Sequence, residues 1–105
     1  MGYIYCITNL VNNKRYIGKT TSSLEERFRE HCSDSHKERC NKRPLYNAMV
    51  KYGIDNFKID LVEEVTNDSI LSEREIFWIK ELNTYGINGY NATKGGDGII
   101  RYDYQ

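Results

Sequence analysis

Short runs of hydrophobic residues, separated by polar positions, predict β-structure at the start of the chain. Tyr3–Thr8 is rich in aromatic and β-branched residues, and Arg15–Gly18 has the same character. Asn12-Asn13 lies between the two stretches, and asparagines favour tight turns. We therefore expect a β-hairpin. If its loop is even-numbered and centred on the asparagines, Tyr5 and Tyr16 project from the same face.

Two helices are predicted after the hairpin. Ser23, with a glutamate three residues later, forms a capping box that begins a helix ending near Cys32. Leu24 and Phe28 would form the buried stripe of this helix, and a second i,i+4 row runs beside it. Pro44 suits the first position of the next helix, and Gly53 suits its end.

The third predicted helix carries the most informative feature of the periodicity. It follows a strand expected over Phe57–Val62, begins at Asn67 or Asp68 and continues to about Leu82. Its apolar stripe consists of Leu71, Trp78, Ile79 and Leu82. Glu75 lies in the middle of that stripe. Because an unpaired buried charge is costly, we expect Glu75 to face a cation, a metal ion or a cleft.

These elements favour an α+β fold, in which helices flank a small three-stranded antiparallel sheet. At 105 residues the chain has the length of one domain. We assign residues 1–94 to the domain, with one further short strand near Tyr90–Thr93. Residues 95–105 form a glycine-rich tail.

The charge distribution changes the picture that composition alone suggests. Fifteen Lys and Arg balance fifteen Asp and Glu, which excludes a polybasic protein that binds nucleic acid through bulk charge. The balance is not local: residues 1–51 hold ten cations against five anions, and residues 52–105 hold the reverse. This asymmetry predicts an anionic partner for the first half.

The cysteines indicate the compartment. Cys6, Cys32 and Cys40 are odd in number and include no C-x-x-C pair, so neither a disulfide framework nor a zinc cluster is expected. The first residues enter a strand-like run directly, without a signal-peptide pattern. We expect an intracellular protein that is neither secreted nor membrane-bound.

Several short motifs occur in an order that resembles a known family. Tyr3-Ile4-Tyr5, followed by Tyr16-Ile17-Gly18, is similar to the signature pair of the GIY-YIG nuclease family. Arg27 and His31 follow on the next helix. Glu75, within residues 73–82, and Asn91, within residues 88–91, lie in stretches similar to the catalytic domains of phage intron-homing endonucleases.

The resemblance covers residues 3–91 and has one departure. Tyr3 stands where the family has its first glycine, unless Gly2 serves from one position earlier. That glycine is usually structural, so the departure concerns strand packing more than chemistry.

The resemblance implies hydrolysis of a DNA phosphodiester with one divalent metal ion. Glu75 would hold the ion, Mg²⁺ with Mn²⁺ as a substitute, because Mg²⁺ is commonly held by one or two carboxylates together with phosphate and water. Arg27 would stabilise the charge of the pentacoordinate phosphate. His31 would hydrogen-bond the phosphate or the nucleophile. All these residues, with Tyr5 and Tyr16, would line one concave face.

The paired tyrosines imply a base, and other residues imply support. Tyr5 is favoured as the base that takes the proton of the attacking water, with Tyr16 supporting it. A phenol is a poor base unless cations lower its pKa, and Lys19 is the expected cation. Asn91 would brace the site near Glu75, and Gly18 would let the substrate backbone come close.

The substrate is expected to be double-stranded DNA, met by basic residues of the first half. The candidates for DNA contacts are Arg29, Lys37, Arg39, Lys42 and Arg43. Sequence recognition would come from a separate or C-terminal module. The first interpretation is a homing-type or free-standing phage-like endonuclease. A repair or structure-selective nuclease of the same family is the alternative, and a catalytically silent DNA-binding module is a third.

Overall fold

A computed structural model describes residues 1–37 and 43–95 of the protein. Three strands and three α-helices alternate in the order ββααβα. The strands are β1 (Gly2–Asn9), β2 (Arg15–Thr20) and β3 (Phe57–Val65), and the helices are α1 (Leu24–Ser35), α2 (Pro44–Tyr52) and α3 (Leu71–Glu81). The predicted α+β class is confirmed. Every helix in these two ranges is too short or too polar to span a bilayer.

The sheet is antiparallel, and its first strand lies in the middle. The strand order is β2-β1-β3, so β2 forms one edge. In the pairing of β1 with β2, Tyr5 lies opposite Gly18 and Ile7 lies opposite Tyr16. Because side chains alternate along a strand, Tyr5 and Tyr16 are diagonal neighbours on one face, as the hairpin predicted. Their ring centroids are 6.4 Å apart.

Each face of the sheet packs against its own helices. On one face, Tyr5 and Ile7 pack with buried residues of α2 such as Leu45 and Met49, and α1 covers them. The other face forms a second core with α3, whose buried members are Ile4, Cys6, Ile17, Val65, Leu71 and Ile79. Burial on both faces makes three layers: α1 and α2, the sheet, and α3.

The predicted helix signals act as expected. The Ser23 hydroxyl accepts a hydrogen bond from the Glu26 amide at 3.1 Å and begins α1, which ends three residues later than predicted. Pro44 begins α2, and Gly53, at φ 86°, ends it. Asn67 caps a 3₁₀ turn over Asp68–Ile70 that leads directly into α3.

The strand expected over Tyr90–Thr93 is wrong. The described segment after α3 contains a 3₁₀ turn (Gly86–Asn88) and a single parallel bridge between Tyr85 and Asn91. The reason is that the segment crosses close to the β2 backbone: the Tyr90 amide donates to the Arg15 carbonyl at 2.9 Å. A Cβ on Gly89 would lie 2.5 Å from the Thr84 Cα. Residues 96–105 of the predicted tail lie outside the described ranges.

Candidate active site

A cleft of about 270 Å³ opens at the β2 edge of the sheet. Its polar lining comes from every layer, and the residues of interest are Tyr16, His31, Arg43, Tyr46, Glu75 and Asn91. Because β2 is an edge strand, side chains from both faces of the sheet reach the same opening. Three of the residues predicted to line one concave face, Tyr16, His31 and Glu75, line this cleft. Glu75 lies on the helix that covers the opposite face of the sheet from Tyr16 and His31, and the two sides meet at the edge.

A series of hydrogen bonds connects β1, α1 and α2 behind the cleft. The Tyr5 hydroxyl lies 2.6 Å from His31 Nε2, and His31 Nδ1 lies 2.9 Å from the Tyr46 hydroxyl. Arg27 Nε donates to the Tyr5 oxygen at 3.3 Å. Tyr5 is fully buried and does not line the cleft, whereas the partly exposed Tyr16 does. The expectation that both tyrosines line the open face holds for Tyr16 alone.

Burial keeps His31 neutral between two phenols. Together with the positive charge of Arg27, it lowers the pKa of His31 to about 3, so the ring is neutral at pH 7. A neutral ring carries one proton, so one of its nitrogens donates and the other accepts in the contacts with the Tyr5 and Tyr46 hydroxyls. His31 thus fixes the positions of two phenols.

Burial dominates the protonation of both tyrosines. It raises the pKa of Tyr5 well above the ordinary value, and it raises the pKa of Tyr16 to about 12, with the negative charge of Glu75 adding to the rise. The positive charge of Arg27 acts against both rises in pKa, and that of Arg43 also acts against the rise at Tyr16. In this state of the protein both phenols are protonated at neutral pH.

The role expected of Lys19 is wrong. Lys19 Nζ lies 3.1 Å from Glu75 Oε1 and pairs with that carboxylate instead of with a tyrosine. The strand alternation explains this, because Tyr16 and Gly18 point to one face of the sheet, and Ile17 and Lys19 to the face that α3 covers. Glu75 meets its expectation: it is buried, it faces a cation and it lines the cleft.

The single carboxylate at Glu75 suits a hard divalent cation better than a structural metal ion, which is held by several side chains. No group of three or more His, Cys, Asp or Glu capable of holding a metal ion occurs within residues 1–37 and 43–95. Glu75 supplies a single buried carboxylate at the wall of an open cleft. Mg²⁺ accepts such a site, since it keeps several water ligands and shares substrate phosphates. The residues therefore fit a hard divalent cation that keeps open coordination positions.

Asn91 braces the site through β2. Its Oδ1 accepts from the Ile17 amide at 2.8 Å and from the Thr84 hydroxyl at 2.7 Å, and its Nδ2 donates to the Ile17 carbonyl at 2.8 Å. All three bonds are buried. One amide side chain thus hydrogen-bonds both the backbone amide and the backbone carbonyl of Ile17, the residue next to Tyr16.

Gly18 has a different purpose from the predicted one. A Cβ at this position would lie 2.3 Å from the Cζ and the hydroxyl oxygen of Tyr5. The Tyr5 ring therefore covers Gly18 and occupies the space that was assigned to the substrate backbone. The absence of a side chain lets Tyr5 reach His31 and Arg27.

The basic residues of the first half are spread over two places. Arg27, Arg29 and Lys37 line a shallow depression along α1, where Arg27 Nη1 pairs with Glu30 at 2.9 Å and Lys37 pairs with Asp34 at 2.9 Å. Arg43 instead lines the cleft, with its guanidinium 5.6 Å from the centre of the Tyr46 ring. Arg39 and Lys42 lie outside the described residues.

Tyr46 is the site residue that sequence reasoning missed. It lies in the first turn of α2, is almost fully buried and contacts His31. A signal was present, because a tyrosine on the apolar side of a helix needs a partner for its hydroxyl when buried. The missing information was the identity of that partner.

The sequence matches the GIY-YIG catalytic domain family over residues 1–91. Protein 146R of Invertebrate iridescent virus 6 is 48% identical over 73 residues, which cover 67% of this chain and 28% of that protein. Intron-associated endonuclease 1 of Enterobacteria phage T4 is 39% identical over 89 residues, which cover 84% of this chain and 35% of that protein. The chain therefore spans about a third of the length of these relatives.

The fold is similar to that of a solved nuclease domain. The catalytic domain of intron endonuclease I-TevI, in a glutamate-to-alanine mutant, aligns with a TM-score of 0.76 and 36% identity over 90% of this chain and 96% of that one. A second structure of the catalytic domain of homing endonuclease I-TevI gives a TM-score of 0.74 over 89% of this chain and 99% of that one.

Proposed function

Because the chain belongs to the GIY-YIG nuclease family, we propose that its cleft hydrolyses DNA phosphodiester bonds endonucleolytically with a divalent metal ion. The observation that carries the proposal is the cleft itself. Tyr16, His31 and Glu75 meet there, and Arg27 is held next to them by Tyr5. The similarity to the phage intron endonuclease supports a homing-type or free-standing phage-like enzyme over a repair nuclease.

Glu75 would hold the metal ion, which we propose to be Mg²⁺, with Mn²⁺ able to substitute. When bound, such an ion neutralises phosphate charge and lowers the pKa of a coordinated water. Within the protein, Lys19 Nζ holds Glu75 Oε1 at 3.1 Å, and the glutamate is buried at the wall of the cleft. The ligand is therefore positioned before substrate arrives.

Arg27 would stabilise the extra negative charge that develops on the phosphate. Its Nε is bonded to Tyr5 and its Nη1 to Glu30, so the guanidinium plane is fixed at two points. A planar, permanently charged group suits this task, and a preorganised group requires no reorientation during the reaction.

Tyr16, rather than Tyr5, would contact the attacking water. Tyr16 lines the cleft, whereas Tyr5 is buried and its hydroxyl is shared by Arg27 and His31. The ring of His31 lies edge-on to Tyr16, with centroids 5.5 Å apart. In this proposal Tyr5 and Tyr46 are positioning residues, since they act through Arg27 and His31.

Alanine substitution of the two charged residues tests the proposal. Glu75→Ala should abolish Mg²⁺-dependent nicking of plasmid DNA. Arg27→Ala should lower the rate by about 10²–10³-fold, the usual cost of losing one transition-state donor. Glu81→Ala, an exposed glutamate at the end of the same helix, is the matched control. If Glu75→Ala nicks DNA at the wild-type rate, the assignment is refuted. If the wild-type protein retards DNA on a native gel without cleaving it, the result favours a binding module.

We further propose that a separate recognition module delivers this domain to double-stranded DNA. The chain corresponds to about a third of its relatives, and its net charge is zero. Affinity for DNA depends on the number of phosphates neutralised and falls as salt rises. We expect weak binding by the chain alone with a shallow salt dependence, and a steep slope would contradict delivery. Cleavage assays on nicked, flapped and intact duplexes separate homing-type from repair-type activity.

The thiols support a reducing, intracellular compartment as the place of action. Cys6 and Cys32 are both free, and Cys6 is buried between strands and α3. Cys40 lies outside the described residues. Activity that is unchanged by reductant and lost on thiol oxidation would support this part of the proposal. Activity that is lost in reductant and kept on thiol oxidation would contradict it.

A further inference from the structure

A second depression, of about 420 Å³, lies next to the cleft along α3. Its lining consists of Ile76, Ile79, Lys80, Asn83, Tyr85 and Lys94. Ile79 also lines the cleft, so the two openings share a wall. Gly95 lies at the boundary: a Cβ there would be 2.9 Å from Ile79 Cδ1 and 3.3 Å from Glu75 Oε1. The cleft and this depression, which we call the Tyr85 site, are therefore adjacent.

The Tyr85 site concentrates positive charge in the acidic half of the chain. Four cationic side chains occur among the described residues 52–95. Lys58 and Arg74 each pair with a carboxylate, at 3.2 and 2.8 Å. Lys80 and Lys94 make no such pair within the described chain, and both line the Tyr85 site, whose six lining residues include no carboxylate. Its charge is therefore complementary to phosphate.

Tyr85 supplies an aromatic surface in the same place. The side chain is 45% exposed and contributes to neither core, and Lys94 Nζ lies 5.8 Å from the ring centroid. The backbone of Tyr85 is anchored by its bridge to Asn91, and the Gly86 amide donates to the Asn91 carbonyl at 3.1 Å. The ring is thus exposed on a fixed backbone. Exposed aromatic rings beside cations stack on nucleic-acid bases.

We propose that the Tyr85 site binds one unstacked nucleotide of the DNA strand next to the cleaved phosphate. The base stacks on Tyr85, and Lys80 and Lys94 contact the flanking phosphates. The Asn83 amide, which also lines the site, hydrogen-bonds the edge of the base. The volume lies in the range of sites for small organic ligands. This inference rests on the proposed nuclease function, because it takes DNA as the substrate.

Base stacking can be measured without cleavage. The full chain is titrated, in EDTA, with single-stranded oligonucleotides that carry 2-aminopurine at successive positions, since the fluorescence of this base changes when it stacks. With the wild-type protein we expect the fluorescence to change when 2-aminopurine is at one position of the oligonucleotide and not at the others. The change should disappear with Tyr85→Leu and persist with Tyr85→Phe, and the Kd for Tyr85→Leu should rise by about tenfold, a typical loss for one stacked base.

The lysines are tested by the salt dependence of the same binding. In the double variant Lys80→Gln with Lys94→Gln, the slope of log Kd against log salt should fall by about 0.7 for each lost phosphate contact. Lys51→Gln is the matched control, because Lys51 also lies over a tyrosine, Tyr52, at 5.2 Å, but on α2 and outside the Tyr85 site. This control should leave the slope and the fluorescence unchanged.

The outcomes separate the two proposals. If wild type cleaves DNA but shows no position-specific fluorescence change, and Tyr85→Leu binds as tightly as wild type, the Tyr85 site is overturned and the nuclease stands. If no DNA is cleaved under any metal condition, the nuclease proposal fails, and the fluorescence titration still decides whether a nucleotide binds at Tyr85. An equal effect of Lys51→Gln on the salt slope would also overturn the site.

Discussion

Replacing Asn91 should lower the free energy of unfolding strongly, although this residue lies in an irregular segment. Asn91→Ala removes three buried hydrogen bonds, of 2.7 to 2.8 Å, and leaves the amide and carbonyl of Ile17 without their partner. A buried hydrogen bond contributes about 1 kcal/mol, and a stranded buried group costs about 1–3 kcal/mol. We expect a loss of about 3–5 kcal/mol, a large share of the roughly 5–15 kcal/mol that stabilises a typical domain.

The assay is chemical and thermal unfolding monitored by circular dichroism, with Asn88→Ala as the control. Asn88 lies three residues earlier in the same segment and is exposed, so its loss should change stability by less than about 0.5 kcal/mol. For a domain of this size, Asn91→Ala should lower Tm by more than about 10 °C.

Asn91→Asp adds a test of the donor. One carboxylate oxygen can still accept from the Ile17 amide, but the other faces the Ile17 carbonyl oxygen, which raises the pKa of the new acid in the folded state. Ionisation is then less favourable folded than unfolded, so this variant loses stability as pH rises above the unfolded value of about 3.9. Its deficit relative to wild type should shrink between pH 7 and pH 4. A pH-independent deficit, or a cost below about 1 kcal/mol for Asn91→Ala, would refute the stabilising role of the Asn91 hydrogen bonds.

Three further predictions follow from the site. Gly18→Ala should displace the Tyr5 ring, since the new Cβ would lie 2.3 Å from it, and activity should fall by at least about tenfold while Glu75 keeps its metal affinity in a titration calorimetry experiment. The folded-state pKa of His31 is lowered to about 3, so an unfolded chain binds a proton that the folded one excludes between pH 6.5 and 3. The free energy of unfolding of wild type should therefore fall as pH falls through that window. The fall should be steeper than in His31→Gln by up to about 1.4 kcal/mol per pH unit, whereas the variant of the exposed His36, His36→Gln, should follow wild type. Tyr16→Phe should lower kcat with little change in stability, but Tyr5→Phe should lower both; equal stability losses would contradict the separation of their roles.

Local signals explain the accurate part of the sequence prediction. Ser23, Pro44 and Gly53 act within one helical turn of themselves, so their effects can be derived without knowledge of the rest of the chain. The shared face of Tyr5 and Tyr16 also follows from alternation across a short hairpin. Glu75 was identifiable because a carboxylate interrupts an apolar stripe.

The errors arise where distant elements decide the outcome. Alternation shows which face Tyr5 is on but not its depth, which depends on β3 pairing with β1 and on α2 covering the ring. The partner of Lys19 depends on the packing of α3 across the opposite face. The segment near Tyr90 has the composition of a strand, but it crosses β2 instead of running alongside it, and no local pattern records that angle.

The way the cleft is assembled has a consequence for the synthesis of the protein. Its walls take residues from β2, α1, α2, α3 and the segment after α3, so they range along the chain from Tyr16 to Gly95. A nascent chain on the ribosome therefore exposes several of these side chains long before Glu75 and Asn91 emerge. A chain that is arrested before α3 is complete lacks the wall that carries Glu75, so the cleft cannot assemble until that helix has been made.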